Sequence, residues 1–197
     1  MRLDQSYNEG WKLHIDGARL AHAVVESGIP AARFCAQVDS VSLCLSKGLG
    51  APVGSLIAGS EEFVERGMRV RKRLGGWMRQ SGILAAAGLL ALDEGPEGGL
   101  STIPAAHRLA KQVAARLDAE EGLRSPVEAV DTNLVLCEVD SSRFAGGATA
   151  LAEALGGHGV GVMALGPGTL RFVTHRDLDP SALERLDEAL TAILSPS

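Results

Sequence analysis

Two short stretches of the sequence hold side chains able to do chemistry. In His14-Ile15-Asp16-Gly17-Ala18-Arg19 a carboxylate and a guanidinium follow a short apolar segment. In Leu45-Ser46-Lys47-Gly48-Leu49-Gly50-Ala51-Pro52-Val53-Gly54 a lysine stands among glycines. Each stretch lies at the end of a candidate strand. In open α/β sheets ligands sit in the crevice beyond the strands' carboxyl ends, so an acid and a lysine would face that crevice from neighbouring strands. The glycines after Lys47 leave room for a bound molecule to approach the backbone. A lysine shielded from water near other cations has a lowered pKa and can act as an amine nucleophile. The pairing suits pyridoxal 5'-phosphate: the lysine forms a Schiff base with it, and a carboxylate facing the pyridine nitrogen keeps the ring protonated and electron-accepting. A plainer reading of the same residues is that Asp16 caps a helix and Lys47 is a solvated loop charge.

The elements that must position these residues alternate between strand and helix. Trp11–Ile15 reads as a strand ended by an Asp16-Gly17 turn, and Ala18–Ser27 has helical spacing closed by Gly28 and Pro30. A short helix over 31–37 leads into a buried-strand pattern at Ser40–Leu45, and a further strand covers Val53–Ala58. Ser60 followed by two glutamates is a good helix start, and Gly75-Gly76 breaks that helix. Ile83–Asp93 reads as a largely buried helix, and Pro96–Gly99 as a linker. Beyond it come a long amphipathic helix (Ile103–Glu121), a strand (Asn133–Val139), a helix (Ala148–Leu155) and strands at Gly159–Ala164 and Leu170–Thr174. A last helix spans Pro180–Leu194 with Asp179 as its N-cap. This alternation predicts an α/β architecture, with a boundary near residues 95–102.

Composition narrows the function classes. The 197 residues include 46% hydrophobic and 22% charged, as in soluble globular proteins. A net charge of −5 argues against a general polyanion binder. Arg66, Arg69, Arg71, Lys72, Arg73 and Arg79 form a basic run without an intervening acid, but only Trp77 could stack there, so a solvated helix face explains most of it better than nucleic-acid binding. Three cysteines and no CxxC exclude a disulfide scaffold or zinc knuckle, and no metal site is expected; Cys35 and Cys44 read as small buried apolar residues. The apolar run Ile83–Leu92 is too short to span a membrane, and the start MRLDQSYNEG lacks a signal-peptide core, so the expectation is a reducing, cytoplasmic location. His14, two residues before Asp16 on one strand face, is expected to hydrogen-bond that carboxylate, and His175 to be a structural hydrogen-bonder.

The segments HIDGARLAHAVVESGIP, VDSVSLCLSKGLGAPVGSLIAGSEEFVERG, RKRLGGWMRQSGILAAAGLLAL and LRFVTHRDL together resemble the low-specificity L-threonine aldolases, from about Lys12 onward. These are pyridoxal-phosphate enzymes of the β-eliminating lyase group with the aspartate-aminotransferase-like fold (fold type I). The resemblance implies cleavage of L-threonine or L-allo-threonine to glycine and acetaldehyde. It places Lys47 on the Schiff-base lysine, Asp16 on the acid paired with the pyridine nitrogen and Arg19 on the arginine near the ring's phenolic oxygen. Arg171 falls on the arginine that holds the substrate α-carboxylate, a task suited to a guanidinium fork. Lys72 and Arg79 fall on basic positions that reach a neighbouring subunit's cofactor phosphate, so a homodimer or homotetramer is expected. The resemblance covers the C-terminal half to three-fifths of a family member. Residues 1–95 then correspond to the remainder of the cofactor-binding large domain, and 100–197 to the small domain. The Gly-rich phosphate cradle and the ring-stacking histidine of a full-length aldolase lie in the other half. The alternatives are a catalytically silent fragment of such an enzyme, or another β-eliminating amino-acid lyase.

Overall fold

In the computed structural model, which describes residues 10–93, 95, 98–179 and 181–194, the chain divides into two compact units, Met1–Thr102 and Ile103–Ser197. The expected N-terminal start through residue 9, Pro96 of the expected linker and Pro180 of the expected last helix lie outside the described residues.

The first unit is built on a three-stranded sheet of order β1-β2-β3, with β1 at His14–Gly17, β2 at Ser40–Cys44 and β3 at Ser55–Gly59. β1 and β2 run parallel, with His14 opposite Ser40 and Asp16 opposite Ser42; β3 returns antiparallel. Helix α1 (Leu20–Ser27) follows β1, and α2 (Ala31–Cys35) leads to β2. After β3 come α3 (Glu61–Arg73), α4 (Gly82–Leu92) and a 3-10 turn at Gly99–Thr102.

Strand β1 begins three residues later than the hydrophobic pattern predicts and takes in Asp16-Gly17 instead of ending before them. The cause is across the chain. Asp39 accepts the Leu13 N–H at 2.9 Å and the Lys12 ammonium at 2.8 Å, while the Asp39 N–H donates to the Leu13 carbonyl. The Lys12 contact and the Leu13 N–H hold the Asp39 carboxyl below its ordinary range. This clamp sets the register, and pairing then continues to Gly17. A Cβ at Gly17 would come within 2.1 Å of the Ser42 carbonyl oxygen, so the tight approach there requires glycine.

Helix α3 starts as its sequence predicts. The Ser60 hydroxyl accepts the Phe63 N–H at 3.2 Å, Glu61 and Glu62 occupy the first turn, and Arg71, Lys72 and Arg73 the last. Each charge thus opposes the helix dipole's end. The expectation for α4 is overturned. Only Gly88 and Ala91 are buried, whereas Ile83 is 85% and Leu89 72% exposed. An all-apolar helix buries itself only where something covers every face, and among the described residues this one is covered on one side alone.

The second unit carries an antiparallel sheet of order β4-β5-β7-β6: Leu123–Arg124, Leu134–Val139, Thr169–Val173 and Met163–Ala164. Helices α5 (Ile103–Asp118), α6 (Gly147–Gly157) and α7 (Ala182–Leu194) pack with it. Strand alternation sends Val135, Cys137, Leu170 and Phe172 inward, against Ala114 and Leu117 of α5, Leu155 of α6 and Leu190 of α7. Arg116 of α5 pairs with Asp187 of α7 and with Glu120. Asp179 accepts from the Ser181 N–H and hydroxyl just ahead of α7.

These packing differences predict unequal mutational costs. Leu170→Ala, at a fully buried site, should cost about 2–5 kcal/mol in urea unfolding monitored by circular dichroism. Ile83→Ala should change stability by no more than about 0.5 kcal/mol.

Candidate functional site

Because β1 and β2 are parallel neighbours, their carboxyl ends emerge on the same side of the sheet. Asp16 is the penultimate residue of β1, and Lys47 lies three residues past the end of β2. Both are exposed. The Asp16 carboxylate accepts only the Ala18 N–H (3.1 Å) among the described contacts, and α1 has no side-chain cap at all. Asp16 therefore does not serve as the helix cap considered above. Arg19, half-buried, occupies the position before α1.

The Lys47 turn is held by its backbone and by buried leucines on either side. The Leu45 N–H donates to the Gly54 carbonyl, Ala51 to Leu45 and Gly50 to Lys47 itself, at 2.9–3.0 Å. Leu45 and Leu49 are buried, and Gly50 adopts a left-handed φ of 77°. Lys47 is thus the polar projection of an anchored loop.

One residue important to this geometry belongs to no motif of the sequence. His22, on α1, is 2% exposed, and its imidazole lies directly against Gly48: a Cβ on Gly48 would meet His22 Nε2 at 2.0 Å. The helix that follows Asp16 therefore returns to support the turn that carries Lys47. A histidine within the otherwise apolar run Leu20-Ala21-His22-Ala23-Val24 was the available hint. His14 is corrected in turn. Its Nδ1 lies 2.9 Å from Ser40 Oγ, not on Asp16, because the partner across the ladder is nearer (about 5 Å) than the next same-face residue along the strand (about 7 Å).

The cysteines also differ from expectation: Cys35 and Cys44 are only partly buried. Partial burial works against the Cys44 thiolate. Hydrogen bonds from Ser46, the Lys47 charge and Ser55 outweigh it, so the thiol titrates below the ordinary range. Fully buried Cys137 is pushed up to about 11 by desolvation.

Lys72 and Arg79 lie on the exposed surface of the first unit. Lys72 Nζ is 5.5 Å from the Trp77 ring centroid and Arg71 5.2 Å, a cation–π arrangement. Arg171 belongs to the second unit. It projects from β7 on the face opposite Leu170 and Phe172, across from Leu136 and Met163 on the adjoining strands. Its Nε is buried and, among the described residues, has no hydrogen-bond partner. Just beyond it, the Thr174 hydroxyl donates to the Ala106 carbonyl and the Asn133 amide to the Thr174 carbonyl, both at 2.6 Å, fixing the end of β7. His175 accepts the Asp177 N–H at 3.3 Å, a local structural role. Among the described residues no group of three His, Cys, Asp or Glu could hold a metal ion, and no helix is long and apolar enough to cross a membrane.

Residues 5–142 match the family model described as Beta-eliminating lyase. The chain is 40% identical over 193 residues to low-specificity L-threonine aldolase 1 of Arabidopsis thaliana, covering 95% of this chain and 52% of that protein. It is 38% identical over 183 residues to low specificity L-threonine aldolase of Escherichia coli K12, covering 93% and 51%. The chain thus spans about half the length of the curated relatives it matches. Among solved structures, N-acetylornithine aminotransferase of Stenotrophomonas maltophilia aligns with a TM-score of 0.64 at 20% identity, over 98% of this chain and 50% of that one. Rhodiola rosea 4-hydroxyphenylacetaldehyde synthase aligns at 0.68 and 16%, over 98% and 46%. The fold is shared with these proteins.

Two outcomes follow from the local geometry. Gly48→Ala alone should destabilise the chain by about 1–3 kcal/mol. Adding His22→Ala should recover at least about 1 kcal/mol of that loss, because the added methyl group then has room. Strictly additive unfolding energies would disprove the contact. In alkylation by iodoacetamide followed by mass spectrometry, Cys44 should become reactive at lower pH than an ordinary thiol. Cys137, fully buried and with its thiol pushed up by desolvation, should stay unlabelled in the folded chain at the pH where Cys44 reacts.

Proposed function

Since the chain belongs to the beta-eliminating lyase family, we propose that it carries the lysine-and-carboxylate part of a pyridoxal-phosphate site for aldol cleavage of L-threonine or L-allo-threonine to glycine and acetaldehyde. The observation that carries this reading is the delivery of Asp16 and Lys47 to the same end of two adjacent parallel strands. The names of the curated relatives support the reaction class.

The residues present fit the cofactor chemically. Lys47 offers an exposed amine on a fixed turn, Asp16 a carboxylate with one hydrogen bond, and Arg19 a guanidinium beside them in sequence. When bound, pyridoxal phosphate supplies an electron sink for cleavage at the substrate α-carbon. Asp16 would hold a proton on the pyridine nitrogen by keeping a negative charge opposite it. Lys47 would anchor the cofactor through its amine, and Arg19 would face the ring's phenolic oxygen. Arg171 would grip the substrate carboxylate: its buried Nε has no partner among the described residues, and an unmet buried donor of this kind favours an anionic ligand by about 1–3 kcal/mol. Lys72 and Arg79 would turn toward the cofactor phosphate of a second subunit in a cytoplasmic homodimer or homotetramer.

The half-length match favours a second reading beside the first, in which the chain holds cofactor but does not turn over alone. One experiment separates them. The full chain is mixed with pyridoxal phosphate, reduced with borohydride and mapped by mass spectrometry, and acetaldehyde release from L-threonine is assayed in parallel. Label on Lys47 that disappears in Lys47→Ala supports the site; label elsewhere, or full turnover by that variant, sinks it. Label without acetaldehyde supports the second reading. Where turnover is present, Arg171→Ala should lower kcat/KM roughly 5- to 150-fold.

A further inference from the structure

Helix α3 ends in three cations, Arg71, Lys72 and Arg73, and the chain then turns back across them. The turn is a complete C-terminal cap. Gly75 takes a left-handed φ of 79°, and its N–H donates to the Lys72 carbonyl at 3.2 Å. The Gly76 N–H donates to the Arg71 carbonyl at 2.9 Å. These two bonds are the Schellman pattern, which stops a helix and reverses the chain beyond it. The return is close: a Cβ on Gly76 would meet Arg71 Cγ at 3.1 Å. Trp77 is thereby laid against the helix end. Its ring centroid lies 5.2 Å from the Arg71 guanidinium carbon and 5.5 Å from Lys72 Nζ.

Two cations on one ring repel each other, and a cation–π contact at an exposed site is weak. Among the described residues no acid pairs with either of them. Other arginines of the chain do have acids: Arg69 has Glu65, Arg116 has Glu120 and Arg185 has Asp179. The ring holds the two cations together without taking up their N–H donors, and both side chains are exposed. The cluster is therefore ordered, doubly positive and open to a ligand.

We propose that Trp77 is a positioning residue that gathers Arg71 and Lys72 into one binding site for a phosphate monoester. The charge count selects the ligand. A phosphate monoester carries about −1.5 to −2 at neutral pH and three acceptor oxygens. It therefore matches a guanidinium fork beside an ammonium better than a single-charged carboxylate does. Nucleic acid fits less well, because the ring that could stack a base already carries two cations and the chain's net charge is −5. The inference rests on the phosphate role proposed above for Lys72 and extends it to Arg71 and Trp77.

The test uses the full chain with Trp11→Phe, which leaves Trp77 as its single tryptophan. At fixed ionic strength, Trp77 emission should change saturably with added inorganic phosphate and stay unmoved with chloride. By calorimetry, Arg71→Ala should weaken phosphate binding at least about tenfold. Trp77→Ala should weaken it about fivefold, and Trp77→Phe, which keeps a ring, should stay within about twofold. Pyridoxine 5'-phosphate, which has no aldehyde to react with a lysine, separates two sources of the same group. Binding tighter than inorganic phosphate, and lost in Arg71→Ala, marks a cofactor phosphate; equal binding marks a free phosphate monoester. Either supports the site. Emission that never saturates overturns the proposal, as does phosphate binding unchanged in Arg71→Ala. A Trp77→Phe chain as weak as Trp77→Ala overturns the positioning role. Displacement of phosphate by a short single-stranded oligonucleotide of higher affinity reassigns the cluster to nucleic acid and overturns it too. No arm reads Lys47 or acetaldehyde release, so failure of the proposed reaction and failure of this site are told apart.

Discussion

Parallel strands send their carboxyl ends to one side, and the pairing of β1 with β2 places Asp16 and Lys47 there together. An antiparallel partner would have put the lysine turn at the opposite end of the sheet. The pairing is set by a small polar device, Asp39 gripping Lys12 and the Leu13 N–H, and is made close by Gly17. Helix α1 then returns His22 beneath Gly48, so the segment that presents the acid also braces the segment that presents the amine. Chemistry, register and local packing in this unit all rest on one ladder.

Much of this was legible in the residues because it is written locally. The Ser60 cap, the acidic first turn and basic last turn of α3, the glycine stop after α1 and the period-two pattern of β5 and β7 depend on neighbours in sequence, and their elements lie close to where those signs put them. The stretches around Asp16 and Lys47 stood out for the same reason. What could not be read depends on partners distant in sequence. The true start of β1 is decided by Asp39, 26 residues from Leu13. The bond of His14 is decided by Ser40, equally far away. The contact of His22 with Gly48 needs α1 and the lysine turn to fold against each other.

Helix α4 shows a different limit. Its sequence, GILAAAGLLAL, describes a helix with apolar neighbours on every side, but among the described residues only the side of Gly88 and Ala91 is covered. The second unit shows the complementary case. There the alternation of β5 and β7 and the apolar stripes of α5 and α7 account for one another inside 95 residues, and burial follows pattern closely.

The strand order β4-β5-β7-β6 also has a bearing on how the second unit comes into being. β7 lies between β5 and β6 although it is synthesised after both. Until residues 169–173 have emerged, β5 lacks one neighbour, β6 has none, and the inward faces of α5 and α6 have no Leu170 or Phe172 to close on. Assembly during synthesis is therefore late: it waits for the central strand and then for α7, which supplies Leu186, Ala189 and Leu190 to the same core. The strand that carries Arg171 is the one that joins β5 to β6.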